Sequence, residues 1–81
     1  MKTYTPNEKC SKLIEKWLFS VSKDPNEQIL LGWLNYAWQV KNDASEGESV
    51  VIEIKGYASR SGNPESLIIP DDCFDAEEVV A

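Results

Sequence analysis

The sequence predicts an α+β fold, in which an αα-hairpin packs on a two-stranded antiparallel β-hairpin and an acidic C-terminal tail follows. Two neighbouring stretches within residues 6–41 place apolar side chains at helical spacing. Residues 49–58 instead alternate apolar and polar side chains, as a half-buried strand does. A chain of 81 residues has the length of one domain. We therefore expect a small single domain in the order α-α-β-β with one shared core.

The first helix is predicted at residues 6–22. Thr5-Pro6-Asn7-Glu8 matches a capping box, with Thr5 as the N-cap and Glu8 at the third helical position. The apolar side chains cover roughly 140° of the helix at about 100° per residue. They are Cys10, Leu13, Ile14, Trp17, Leu18 and Val21. A stripe of this width indicates a helix that faces a core on one side only.

The second helix is predicted at residues 25–41, because Asp24-Pro25-Asn26-Glu27 repeats the start signal. Apolar side chains cover roughly 220° of it. They are Ile29, Leu30, Leu31, Trp33, Leu34, Tyr36, Ala37, Trp38 and Val40, and the polar strip is Gln28, Gly32, Asn35 and Gln39. The first helix can cover only one side, so the β-hairpin is the natural second cover. Leu31, Tyr36, Trp38 and Phe19 are then either buried by the remaining chain or left as a partner or homodimer surface.

The second half of the chain predicts a hairpin and a tail. A strand is expected at residues 49–58, with Val50, Ile52 and Ile54 on one face. Gly62-Asn63-Pro64 predicts a turn within residues 59–66, and a second strand at 66–70 ends at Pro70. From residue 71 to residue 81 there are five acids and no base. We expect this segment to be a solvated acidic tail or a short terminal helix.

Charge is segregated along the chain. Residues 1–41 hold six lysines and four acids, whereas residues 42–81 hold ten acids against Lys55 and Arg60. An acidic field repels nucleic acid and attracts basic protein surfaces. A winged DNA-binding domain would need basic residues on its second helix and wing, where this chain has almost none. We therefore expect a protein partner with a basic surface and no direct contact with nucleic acid.

The residue types argue against an enzyme and against a bound metal or cofactor. The chain has no histidine and two cysteines without CxxC spacing, so a structural zinc site lacks its ligands. Cys10 and Cys73 are expected to be reduced thiols, although a disulfide between them is left open. No apolar run is long enough to cross a membrane, and the first residues lack a secretory signal. We therefore expect a cytoplasmic protein.

A small, acidic, histidine-free chain with an αα-hairpin and a β-hairpin resembles the inhibitors that phages and mobile elements carry, such as anti-CRISPR and DNA-mimic proteins. The resemblance covers size, charge and the lack of catalytic motifs, and no motif of this chain. It implies a non-enzymatic inhibitor that docks on a basic surface of a nucleic-acid-processing protein, such as a CRISPR-type effector or nuclease. The alternative is a structural or regulatory homodimeric subunit that uses the aromatic face of the second helix.

Both interpretations select candidate partner-binding residues. The apolar candidates on the outer side of the second helix are Leu31, Tyr36 and Trp38. The acidic candidates are Glu46, Glu48, Glu53, Glu65, Asp71, Asp72 and Asp75. Salt should separate the two modes, because ionic strength screens acidic docking more strongly than aromatic contact.

Overall fold

Two helices and two antiparallel ribbons make up the computed structural model, which describes residues 2–45 and 47–79. The elements are β1 (Lys2–Pro6), α1 (Glu8–Val21), α2 (Glu27–Asp43), β2 (Val50–Ile54), β3 (Glu65–Ile69) and β4 (Phe74–Glu78). The strand β2 pairs with β3, and β1 pairs with β4. The α+β class and the α-α-β-β core are therefore confirmed. Within the described ranges, no helix is long and apolar enough to span a membrane.

Asparagine side chains cap both helices. The Oδ1 atom of Asn7 accepts the backbone N–H groups of Lys9 and Cys10 at 3.0 and 3.3 Å, and that of Asn26 accepts the N–H of Ile29 at 3.0 Å. The predicted capping box at Thr5 is wrong, because Thr5 lies in β1 as a strand residue. Asparagine offers the same oxygen two residues later, so α1 begins at Glu8.

The core lies where the two helices meet the inner face of the β2–β3 ribbon. Its buried apolar residues are Cys10, Ile14, Trp17, Leu18, Ala37, Val50, Ile52, Ile54, Ile69, Cys73 and Phe74. The helices meet along the predicted faces, and the rings of Trp17 and Trp33 form an edge-to-face pair with centroids 5.4 Å apart. This geometry is a favourable one for aromatic pairs.

The strand β2 ends earlier than predicted, because the chain turns at Gly56 to reach the corner between the helices. A short 3-10 turn follows at Gly56–Ala58. The N–H of Lys23 donates to the Ala58 carbonyl at 3.0 Å, and the N–H of Arg60 donates to the Val21 carbonyl at 2.8 Å. A Cβ atom at residue 56 would lie 2.6 Å from the Gly62 carbonyl oxygen, so this turn requires glycine. The connection from β2 to β3 thus spans residues 55–64.

The acidic segment is not the free tail or terminal helix that the sequence predicts. A 3-10 turn at Asp71–Cys73 leads into β4, which pairs with β1 from Lys2↔Glu78 to Pro6↔Phe74. Residues 80 and 81 of the predicted tail lie outside the described residues.

Three residues hold this segment against the helices. Phe74 is buried, and Asn7 ties the start of α1 to the turn because its N–H donates to the Cys73 carbonyl at 3.0 Å. The third is Lys41, whose Nζ donates to Asp71 Oδ1 at 2.8 Å and lies 4.7 Å from the Tyr4 ring centroid. Burial and ion pairing together explain why an acidic segment forms a strand here.

Candidate functional site

The broad apolar arc of α2 is divided into two flanks on either side of an exposed polar strip. Leu31 and Trp38 lie two helical turns apart on one flank and are 57% and 44% exposed. Tyr36 is 49% exposed and projects about 160° away from Trp38 around the helix. The structure thus leaves all three residues accessible, but it places Tyr36 on the opposite flank from the other two.

Trp38 lies in a groove between α2 and β1, which we call the Trp38 groove. Its volume is about 650 Å³. It is lined by Thr3, Tyr4, Thr5, Asn35, Trp38, Gln39, Asn42 and Asp43. The groove exists because β1 runs alongside the last turns of α2, an arrangement that the sequence pattern did not predict.

The side chain of Asn42 fixes the two walls of the groove. Its Oδ1 accepts the N–H of Tyr4 at 3.0 Å, and its Nδ2 donates to the Tyr4 carbonyl at 3.0 Å. The same Nδ2 also lies 3.0 Å from the Trp38 carbonyl oxygen, to which it donates. The amide therefore pairs with the outer edge of β1 as a neighbouring strand would. This holds β1 at a set distance from the helix that carries Trp38.

Two carboxylates of β4 lie across β1 from the edge that borders the groove. Thr3 pairs with Glu77, and Thr5 pairs with Asp75. Cross-strand partners project from the same face of a ribbon with Cβ atoms about 5 Å apart, so these carboxylates share a face with the groove-lining threonines. Asp75 is held in place by Asn7, whose Nδ2 donates to Asp75 Oδ1 at 3.2 Å. Glu77 was missed as a candidate, because only the pairing of β4 with β1 reveals its position.

Two other predicted carboxylates of this segment are paired with lysines. Asp71 accepts from Lys41 at 2.8 Å, and Asp72 lies 3.4 Å from the Nζ of Lys9. The folded chain thus brings acids of the second half against bases of the first half. Neither carboxylate is left as an isolated negative charge for a partner to neutralise.

The remaining acidic candidates lie away from the Trp38 groove. Glu48 accepts the backbone N–H of Ser45 at 2.9 Å. Glu65 accepts from the Ser61 hydroxyl at 3.1 Å. Glu53 projects from the outer face of β2 and lines a shallow pocket with Tyr36. Glu46 lies outside the described residues.

The two cysteines are free and buried. Burial raises the pKa of the Cys10 thiol from 9.0 to about 11, with a smaller contribution from neighbouring Cys73. Burial also raises the pKa of the Cys73 thiol, and the charge of Asp72 acts in the same direction. Both groups therefore stay protonated near neutral pH, where a thiol is a poor nucleophile and a poor metal ligand.

Potential metal ligands are also dispersed. Among residues 2–45 and 47–79, no group of three or more cysteine, aspartate or glutamate side chains is arranged to hold a metal ion.

No known protein family, curated protein sequence or solved structure matches the chain significantly. The chemistry of the exposed surface is therefore the basis for a functional proposal.

Proposed function

We propose that the protein is a non-enzymatic inhibitor that docks on a basic surface of a nucleic-acid-processing protein, such as a CRISPR-type effector or nuclease. The observation that carries this proposal is the exposed Trp38 in a groove whose β1 wall pairs with the acidic strand β4. An exposed indole accepts a lysine or arginine side chain over its face. Asp75 and Glu77, across β1 from the groove, accept the charged N–H groups of the same partner.

The arrangement of the carboxylates supports a partner that normally binds nucleic acid. Asp75 and Glu77 are alternate residues of a strand, so they lie about 6.8 Å apart along it. That distance is comparable to the separation of neighbouring phosphates along a nucleic acid strand. A groove that binds phosphates with arginine and lysine would therefore find acceptors at a similar spacing here.

The geometry of the Trp38 groove also favours binding to a protein surface. Its walls are fixed by the hydrogen bonds of Asn42, so little ordering is required on association. Its lining combines Trp38 and Tyr4 with amides, hydroxyls and the carboxylate of Asp43. An aromatic anchor surrounded by polar groups is typical of protein–protein contact sites.

Affinity capture from the source cell, with mass spectrometry of the bound proteins, tests this proposal. The wild-type protein should retain a basic nucleic-acid-binding protein, and added nucleic acid should compete for that protein. Trp38→Ser and the double variant Asp75→Lys/Glu77→Lys should each lose it. Tyr57→Ser is a matched aromatic control, because Tyr57 is exposed and belongs to the 3-10 turn after β2. Equal capture by all variants, or no competition by nucleic acid, would contradict the proposal.

A further inference from the structure

The outer edge of β4 is a strand edge without a neighbouring strand. The ribbon consists of β1 and β4, and Tyr4 of β1 lies opposite Ala76 of β4. The N–H and the carbonyl of Tyr4 both bond to Asn42, on the side of β1 that faces away from β4. Tyr4 and Ala76 are therefore a pair without mutual hydrogen bonds, so the N–H and the carbonyl of Ala76 point outward from the ribbon.

The alternation of the ladder sets the direction of the next group along the edge. Pro6 lies opposite Phe74 and has no N–H to donate, as suits a position whose N–H faces away from the ladder. The carbonyl of Phe74 therefore points outward like that of Ala76. Ala76 is exposed, and within the described residues no group bonds to its outward N–H or carbonyl. An open edge of this kind can bind an extended segment as an additional strand.

The exposed face beside this edge is acidic. It carries the side chains of Asp75 and Glu77, whose partners on β1 are Thr5 and Thr3, and all four residues are exposed. The group that holds Asp75 is the amide of Asn7, which is uncharged. The ribbon itself thus places two carboxylates and no basic side chain on this face.

The lysines near the ribbon do not neutralise this face. Lys2 lies opposite Glu78, one residue out of step with Glu77 and therefore on the other face of the ribbon. Lys9 and Lys41 pair with the two carboxylates of the turn that precedes β4. An added strand would consequently meet a negative field at the positions opposite the two carboxylates of β4.

These carboxylates determine which kind of strand can be added. A two-fold pair of β4 edges would be antiparallel. Each register that joins Ala76 to an outward-pointing residue of a second β4 sets Asp75 or Glu77 directly opposite an acid of the other copy. Like charges in this position destabilise a strand pair, whereas opposite charges stabilise it. The edge therefore rejects a second copy and favours a segment with lysine or arginine at alternate positions.

We propose that the outer edge of β4 binds an extended, basic segment of the partner as a third, antiparallel strand of the ribbon. The inference rests on the proposed function for the basic character of the partner, and it adds the conformation of the segment that docks. The added strand lies about 4.8 Å beyond β4. Its backbone bonds to Ala76 and to the Phe74 carbonyl, and its basic side chains lie opposite Asp75 and Glu77.

Titration of the isotope-labelled full chain with an end-blocked peptide of alternating threonine and lysine, followed by NMR, tests this strand. At saturating peptide, hydrogen exchange of the Ala76 amide should slow at least about tenfold, because its N–H then bonds to a peptide carbonyl. A peptide with glutamate in place of lysine should not bind. The lysine peptide N-methylated at its threonines keeps every charge but loses the donors that face Ala76, so it should bind at least about tenfold more weakly.

A backbone variant of the protein makes the same test from the other side. Ala76→Pro removes the outward N–H and keeps both carboxylates, since an edge strand tolerates proline where its N–H faces solvent. It should weaken binding of the lysine peptide at least about tenfold. Tyr57→Pro is the matched control and should leave binding unchanged, because Tyr57 is exposed and lies in the first turn of the 3-10 segment after β2, where proline is tolerated.

Circular dichroism verifies the fold of both variants, and the N-methylated peptide decides on the wild-type protein if Ala76→Pro does not fold. No binding of the lysine peptide, equal binding of its N-methylated form, or equal binding by a folded Ala76→Pro would each overturn the added strand. Neither peptide binding nor the proline variant decides the proposed function. That proposal is contradicted instead when nucleic acid does not compete for the captured partner.

Discussion

The buried ammonium group of Lys41 offers a direct test of how the acidic segment is attached. The Lys41 side chain is 8% exposed, whereas its partner Asp71 is 73% exposed. The ammonium group also lies 4.7 and 5.7 Å from the ring centroids of Tyr4 and Phe74. The Lys41 charge is therefore desolvated and the Asp71 charge is not. Removing Lys41 and removing Asp71 should change the free energy of unfolding by different amounts.

The structure predicts that removing Asp71 destabilises the fold more than removing the charge of Lys41. Asp71→Ala leaves the buried ammonium beside the rings of Tyr4 and Phe74 without its carboxylate partner. Breaking a fully buried pair costs about 3–5 kcal/mol, but water reaches Asp71, so we expect a loss of about 1–2 kcal/mol here. Lys41→Met keeps most of the unbranched apolar stem and removes the charge, so relief of desolvation offsets the lost ion pair and cation–π contacts. We expect it to stay within about 1 kcal/mol of wild type.

Urea denaturation followed by tryptophan fluorescence measures these free energies of unfolding. Lys41→Ala is the control for packing, because it removes the aliphatic stem as well as the charge and should cost about 2–3 kcal/mol. The reasoning would be refuted if Lys41→Met proved more destabilising than Asp71→Ala. The charge itself, rather than the packing of the stem, would then hold β4 in place.

Three further predictions concern the core, the groove and the thiols. Trp33→Ala should lower the free energy of unfolding by about 2–3 kcal/mol in urea denaturation. This is less than the roughly 3–5 kcal/mol of a fully buried ring, because Trp33 is only half-buried. A loss below about 1 kcal/mol would contradict this packing. Asp75→Lys with Glu77→Lys should slow association with the captured partner at low salt and not at high salt, whereas equal rates in all conditions would exclude these carboxylates. Burial raises the pKa of Cys10 to about 11, so the unfolded chain ionises this thiol at a lower pH than the folded chain does. The free energy of unfolding should therefore fall between pH 9 and 11. Cys10→Ala should reduce that fall, and identical pH profiles for the variant and wild type would contradict this reasoning.

The helices and the β-hairpin were predictable, because their signals are local. Helical periodicity placed Ile14 and Ala37 in the core, and strand alternation placed Val50, Ile52 and Ile54 there. The width of the apolar arc on α2 also indicated that the rest of the chain would leave some apolar side chains of this helix exposed. Which residues would stay exposed on which flank depends on what packs beside the helix, and that is a property of the whole fold.

The β1–β4 ribbon was not predictable from local patterns, because neither strand has a strong one. Its pairing depends on Lys41 and Phe74, two residues that the sequence interpretation did not use. One signal was present: Lys41 falls on the apolar side of α2, in helical register with Ala37. A single lysine in an apolar arc can indicate a buried ammonium with an acidic partner elsewhere in the chain. The Trp38 groove was missed for the same reason, since β1 forms one of its walls.

The pairing of β1 with β4 also determines when the groove can first exist. Thr3 and Glu77 are register partners, so their contact closes a loop of almost the whole described chain. Contacts of such long sequence separation form late in folding, because the chain entropy of closure must first be overcome. During synthesis, β1 emerges from the ribosome before β4 and cannot form this pairing until β4 follows. We therefore expect a nascent chain to form its helices early and to complete the Trp38 groove only after residue 78 has emerged.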